Sequence, residues 1–456
     1  MTNTRFLFFS AVLFSTLGFN LSAKAEADFK GIETAHHQLI ESVTKKNLDC
    51  AKDFEPILKQ FASAQQNLAV NDAKDSQKVI EALYSGRLEL KEKLDLKNAE
   101  CLKQARTYFF QSRSLQDRLY ILSHQDEQKT IKSIDFLKID VPQLKDPART
   151  LLNPKISNYE LRPGDIMIAK GISFTSSTIS QLPVQPSQFS HIALFVQHEG
   201  SLHTLESYIG KGVDAYKLDE ALKNENARIL ILRPKDASLA KTASETMQAI
   251  YATSVSSAKK IKYDYKLDMK DHSELTCAEV AVTAFEKASQ AKVVIPEFQS
   301  TMNFANDDFV KTLGLRNGPI MMPDDMEFDS RFDTVLEWSE YTLLQDSLRK
   351  DQIMNFLLKR INHKEDILNH SYKSKILSVL WKTRDITWLW PLSAKILGLA
   401  EDFDAGVPLD TLKISLDVDS TGQQYLKKLY QADTEYFKAH QQWMSEQQLA
   451  QQIEKK

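Results

Sequence analysis

The residues with the most pointed chemistry are Cys277, His191 and Glu206. Cys277 stands in Thr276-Cys277-Ala278-Glu279, where a Thr and a Glu flank it ahead of an apolar run. That is the pattern of a capping box, and it predicts Cys277 as the first residue of a helix. At such a start, backbone N–H groups without intrahelical partners and the positive end of the dipole favour a thiolate and can hold an oxyanion. A small buried Cys at a helix start fits the same pattern. A thiol nucleophile needs a base. Ser190-His191 opens the best strand run in the chain, His191-Ile192-Ala193-Leu194-Phe195-Val196, so that ring would be held at a strand end. The competitors are His272, in the charged run Lys270-Asp271-His272, and His203, in mid-strand. Glu206 ends the run Leu202-His203-Thr204-Leu205-Glu206 and would orient the imidazole if a hairpin through Gly200 pairs the two runs. As a pattern alone it also reads as a strand-end surface Glu.

Around these residues the chain has the elements to hold a site. The turn pair Pro163-Gly164 precedes a strand over Asp165–Ala169, and a further strand covers Arg228–Leu232. Helices are predicted from about Ser238 to Ala252 and from Cys277 to about Ala288. The Ser/Thr-rich stretch from Ser173 to Phe189 is expected to overhang the cleft as a lid or substrate-binding loop. Strands grouped together with helices outside them imply an α+β layer domain.

On either side the texture is helical. From Asp28 to Asp126, apolar residues at helical spacings (Phe54, Ile57, Leu58 and Phe61, for example) predict a bundle of three or four helices. His36-His37 there lacks partners at metal-ligand spacing and is assigned to a solvated helix face. After Pro319 the chain is read as helical again, with one helix expected over Phe332–Lys359 and a polar, Gln-rich one over Gln423–Lys456. Ile386–Leu399 is strongly apolar but broken by Pro391 and Lys395, which suits a buried helix pair or an exposed docking surface and not a membrane span.

Composition narrows the class. The 456 residues are 42% hydrophobic and 26% charged, an ordinary globular balance for two or three domains. A net charge of −3 carries no electrostatic footprint for nucleic acid. Arg5, the apolar run Phe6–Phe19 and Ala23-Lys24-Ala25 have the layout of a secretory leader cleaved after Ala25, which implies a secreted or periplasmic protein in contact with the cell envelope. In that compartment three cysteines suggest a Cys50–Cys101 disulfide and a free thiol at Cys277, though two merely buried cysteines fit as well. Neither paired Cys nor His-Glu-x-x-His spacing occurs, so no metal and no cofactor are expected. The oligomeric state is not legible.

Four stretches taken in order, Arg162-Pro163-Gly164-Asp165-Ile166, Phe189-Ser190-His191-Ile192-Ala193-Leu194, Leu205-Glu206-Ser207 and Thr276-Cys277-Ala278-Glu279-Val280, resemble the YiiX/YebB-like cysteine hydrolases. Those are circularly permuted members of the NlpC-type, papain-like superfamily, in which His precedes Cys. Tyr263-Asp264 also resembles a Tyr-Asp pair that the family carries ahead of its Cys. The likeness runs from Leu161 to Ser289, with Thr276 where an aromatic is common and Ala278 where Ser is common. It implies a permuted papain-like fold with Cys277, His191 and Glu206 catalytic, and Asp165, Ser190, Tyr263, Asp264 and Glu279 supporting or binding substrate. The substrate it implies is an acyl amide or ester, on a peptidoglycan stem peptide or an acyl lipid. The expected division is a leader (1–25), a helical bundle (26–150), the hydrolase domain (151–320) and a C-terminal helical region (321–456). A different class of function, an inactive papain-like scaffold of the envelope working through its helical regions, fits the same architecture.

Overall fold

The computed structural model describes residues 29–45, 48–67, 76–123, 150–223, 226–267, 271–384, 386, 389–397, 399, 406–440 and 442–455. The expected leader lies outside the described residues. Among these, no helix is long and apolar enough to cross a membrane. The described parts of Met1–Ile131 and Asp433–Ser445 form one compact unit, and those of Lys132–Ala432 and Glu446–Lys456 another.

The first unit is helical: α1 (29–44), α2 (Cys50–Asp53), α3 (Glu55–Asn67), α4 (Ser76–Lys93) and α5 (Ala99–Ser123). Phe54, Ile57 and Phe61 recur at helical spacing on the buried side of α3, and the edges of Phe54 and Phe61 meet Tyr108 of α5. A disulfide between Cys50 and Cys101 ties α2 to α5. Arg87, only 2% exposed, is satisfied by Gln116 Oε1 at 2.7 Å and Ser112 Oγ at 3.3 Å. His36 departs from its expected solvated face. Its Nδ1 lies 3.0 Å from the Tyr108 hydroxyl and its Nε2 3.5 Å from Glu89, and burial lowers its pKa. The single-helix pattern could not show that α5 covers that side.

The second unit is α+β. Its elements are β1 (Thr150–Leu152), β2 (Ile166–Gly171), α6 (Phe174–Gln181), β3 (His191–His198), β4 (Ser201–Tyr208), β5 (Gly212–Lys217), α7 (Leu218–Lys223), β6 (Asn226–Pro234), α8 (Ala237–Ser256) and α9 (Cys277–Ala288). There follow β7 (Ser300–Met302), α10 (Asp307–Thr312), β8 (Gly318–Ile320), β9 (Phe332–Ser339), α11 (Tyr341–Asn362), α12 (Tyr372–Leu380), α13 (Trp390–Leu397), α14 (Leu409–His440, whose last residues belong to the helical unit) and α15 (Glu446–Glu454). Seven strands form one antiparallel sheet in the order β1-β9-β6-β2-β3-β4-β5.

Both faces of the sheet centre are covered. Ile168, Ile192, Leu194, Val196, Leu205 and Leu230 share a core with Met247 of α8 and Val280, Ala281 and Phe285 of α9. The alternate residues Met167, Ala169, Ala193, Phe195, Ile229 and Ile231 pack with Leu222, Val335, Leu336 and Trp338. That is why His191–Val196 reads as an almost unbroken apolar run. Each large side chain so buried contributes about 1.5–3 kcal/mol.

Two expectations are corrected here. Phe332–Ser339, expected as the start of a helix, is β9, inserted between β1 and β6, so the sheet crosses the boundary expected at 320. Phe332, Val335 and Leu336 fall at helical spacing, so the period of this segment points to a helix although it pairs as a strand. The helix begins only after Glu340, whose carboxylate accepts from the N–H groups of Thr342 and Leu343. The Ser/Thr-rich stretch expected as a lid contains α6, which packs on α11 with Ser176, Ser177 and Ser180 buried. Lys170, buried in β2, fixes it: its Nζ donates to Ser180 Oγ and Asp351 Oδ1, both at 2.7 Å.

Candidate active site

The β3–β4 hairpin carries His191 and Glu206. Its two-residue turn, Glu199 (φ 48°) and Gly200 (φ 79°), has both residues left-handed, the conformation that matches the twist of paired strands. The register pairs Leu194 with Leu205, so continuing it sets Ala193 opposite Glu206 and His191 opposite Tyr208. Side chains at opposite and diagonal positions share a face. His191 Nε2 lies 2.6 Å from Glu206 Oε2, and the Tyr208 ring stacks on the imidazole at 4.6 Å between centroids. The Tyr208 hydroxyl donates to Glu206 Oε2 at 2.7 Å and Thr204 Oγ1 donates to Oε1 at 2.5 Å.

Cys277 arrives on α9. Thr276 is the N-cap, its hydroxyl accepting from the Glu279 N–H at 3.2 Å while Glu279 Oε2 accepts from the Thr276 N–H at 2.7 Å. Leu275, just before it, is held from two sides: its carbonyl accepts from Ser207 Oγ at 2.6 Å and its N–H donates to the Lys262 carbonyl at 2.9 Å. Ser207 lies beside Glu206 on β4, so the strand that carries the acid also anchors the start of the helix that carries the thiol. Cys277 is the free cysteine, partly exposed, and close enough to His191 to help raise the imidazole pKa. Because Nε2 is taken by Glu206, Nδ1 is the ring nitrogen left for the thiol.

The electrostatics follow from this geometry. Burial opposes a charge on His191, whose side chain is 16% exposed, but hydrogen bonds and charge interaction with Cys277 and Glu206 outweigh it and raise the pKa to about 10. Burial likewise opposes the Glu206 carboxylate, and bonds from His191, Thr204 and Tyr208 outweigh it and hold its pKa below the ordinary value. Tyr263 is buried, and burial first, then charge interaction with Cys277 and other acidic groups, pushes its pKa up. Its ring lies 5.0 Å from that of Tyr265.

The structure therefore brings together Cys277, His191 and Glu206. The others have partners of their own. Asp165 sits at the far end of β2 from the pairing of Ala169 with His191, clamped by Arg233 through Nε at 2.9 Å and Nη2 at 2.7 Å. It also accepts from the Arg162 N–H, closing a turn in which Gly164 has φ 92° and a Cβ would strike the Ala240 carbonyl oxygen at 2.4 Å. Ser190 turns its hydroxyl to Ser176 Oγ at 2.6 Å and the Gly171 N–H. Asp264 accepts from the Lys266 N–H at 2.7 Å and Glu279 closes the helix cap. His272 pairs with Thr283 and Glu286 further along α9, and His203 with Ser201. Thr204 and Tyr208 escaped sequence reasoning. The signal was the alternation Thr204-x-Glu206-x-Tyr208, which sets three polar groups on one strand face. Among the described residues, no group of three or more His, Cys, Asp or Glu is placed to hold a metal ion.

Neither a protein-family model nor a curated protein matches the chain. Among solved structures it is similar to the metalloprotein yiiX from Escherichia coli O157:H7, at 16% identity and a TM-score of 0.29, over 39% of this chain and 97% of that one.

Proposed function

We propose that this chain is a cysteine hydrolase of the permuted papain-like kind, cleaving an acyl amide or ester in the cell envelope through Cys277, His191 and Glu206. The observation that carries the reading is the 2.6 Å contact of His191 Nε2 with the fully buried Glu206, with the thiol of a capped helix start as the ring's other partner. The thiolate of Cys277 attacks the acyl carbon, forming a C–S bond and placing negative charge on the carbonyl oxygen. The N–H groups of Cys277 and Ala278, which the capping box does not use, would receive that charge. The intermediate collapses by breaking the bond to the amine or alkoxide, which leaves with the proton of imidazolium His191. Water then attacks the thioester as neutral His191 takes its proton, the C–S bond breaks, and the acid is released. Glu206 holds the ring orientation and stays ionised throughout.

The test is product analysis of wild type and Cys277→Ser on isolated peptidoglycan and on acyl-amide and acyl-ester lipids. A product made by the wild type alone supports the reading. Identical digests on every substrate sink it. Iodoacetamide gives a substrate-free check: alkylation of Cys277 at pH 6 should proceed readily and slow at least tenfold in His191→Ala.

A further inference from the structure

Ten large hydrophobic residues are exposed among the described residues, and five of them, Tyr372, Val379, Ile386, Leu392 and Ile396, fall within one stretch of about 25 residues around α12 and α13. Single exposed apolar residues are ordinary, but a cluster marks a contact surface. Helical geometry shows that these are outward stripes and not frayed ends. On α12, Ser374 and Leu377 are buried while Tyr372, Lys375 and Val379 lie on the opposite side. On α13, Trp390, Ser393, Ala394 and Leu397 face inward, with Leu392 and Ile396 opposite at 57% and 47% exposed. Both helices are seated on a core of their own, Leu377, Trp381, Trp390, Ala394 and Leu397 with Val407 and Leu412. The apolar residues outside it are not needed to hold the helices.

The charge of this stretch identifies the partner. Between residues 371 and 399 the sequence has five basic residues, Lys373, Lys375, Lys382, Arg384 and Lys395, against the single acid Asp385, in a chain whose net charge is −3. All five basic residues are exposed. Short apolar side chains among Lys and Arg, with buried tryptophans beneath, suit the interface of an anionic bilayer: the apolar groups enter the acyl boundary while the cations meet lipid phosphates.

Tyr265 packs against the same core, and its ring lies 5.0 Å from that of Tyr263, in the segment that leads to Cys277. We propose that α12 and α13 dock this protein on an anionic membrane surface and present the Cys277 site to acyl lipids there. The docking stands on its own observations; only the site being presented rests on the hydrolase reading.

Sedimentation of the full chain with vesicles tests it. Phosphatidylglycerol/phosphatidylcholine vesicles should bind at least tenfold more strongly than phosphatidylcholine alone, and added salt should release the protein. The exposed-site variants Leu392→Ser/Ile396→Ser and Lys382→Glu/Arg384→Glu should each lose at least tenfold in binding while keeping the wild-type circular dichroism. Equal binding to both vesicle types, no binding to either, or an apolar variant that binds like wild type overturns the proposal. So does a solution dimer that the apolar substitutions dissociate, which would make a second copy the occupant. Cys277→Ser should bind as wild type does. Lost docking with intact Cys277 alkylation would count against the membrane surface alone, and intact docking without a Cys277-dependent product against the hydrolase alone.

Discussion

Replacing Glu206 by Gln keeps the shape of the residue that orients His191 and removes its charge. An amide oxygen in the place of Oε2 can still accept from His191 Nε2 and Tyr208, and the amide nitrogen then faces the Thr204 hydroxyl, which can turn to accept. The change is therefore electrostatic first. Cys277 and Glu206 together lift His191 from 6.5 to about 10 against the opposition of burial. At about 1.4 kcal/mol per pKa unit, that lift is about 5 kcal/mol of preference for imidazolium. Burial continues to oppose the charge once one partner is neutral, so losing Glu206's charge should lower the His191 pKa by more than about one unit. Proton NMR of the imidazole C–H signals, with His191 assigned by its absence in His191→Gln, reads this directly. Iodoacetamide alkylation across the same pH range should show the imidazolium-dependent rate ending at correspondingly lower pH. A His191 pKa in Glu206→Gln within half a unit of wild type would refute the reasoning, because the carboxylate would then be a structural acceptor with no electrostatic hold on the ring.

Three further outcomes follow from the same interactions. The folded-state pKa of His191 is raised, so its stabilisation is fully present below about pH 6.5 and is lost as pH rises through about 10; urea midpoints of wild type and His191→Gln should converge over that interval, and a constant gap would contradict the assignment. Arg233→Met leaves the buried Asp165 carboxylate without its guanidinium partner and should cost about 3–5 kcal/mol in urea unfolding. The folded variant should alkylate at Cys277 within about twofold of wild type, and a loss in step with stability would place Asp165 in the site after all. The Cys50–Cys101 disulfide spans a sequence separation of 51, for which the chain-entropy account gives about 4 kcal/mol. Reduction in a Cys277→Ser background should destabilise the helical unit by roughly that amount, and an unchanged unfolding midpoint would show the bridge to be idle.

The local parts of the candidate site were legible in the sequence because each is written in a few adjacent residues. Thr276 and Glu279 announce the helix start that exposes Cys277; Glu199-Gly200 between two apolar runs announces the hairpin; Pro163-Gly164-Asp165 announces the turn before β2. An odd cysteine count, read with a leader pattern, pointed to Cys277 as the free thiol and to Cys50 with Cys101 as a pair. What depends on register or on distant neighbours was not legible. The pairing of Leu194 with Leu205 decides that Glu206 and Tyr208 share the face of His191, and a slip of one residue would turn both away. Only the sheet order shows that Phe332–Ser339 is a strand, because its two edges pair with β1 and β6, segments far away in sequence. Asp165 and Ser190 sit in the motifs that carry the family resemblance, yet their side chains answer to Arg233 and Ser176, partners that no local pattern names. Sequence determined which groups are present and how each is capped or turned. Tertiary structure decided which of them meet, because a hydrogen bond of 2.6 Å between residues fifteen apart exists only when strand register and burial enforce it.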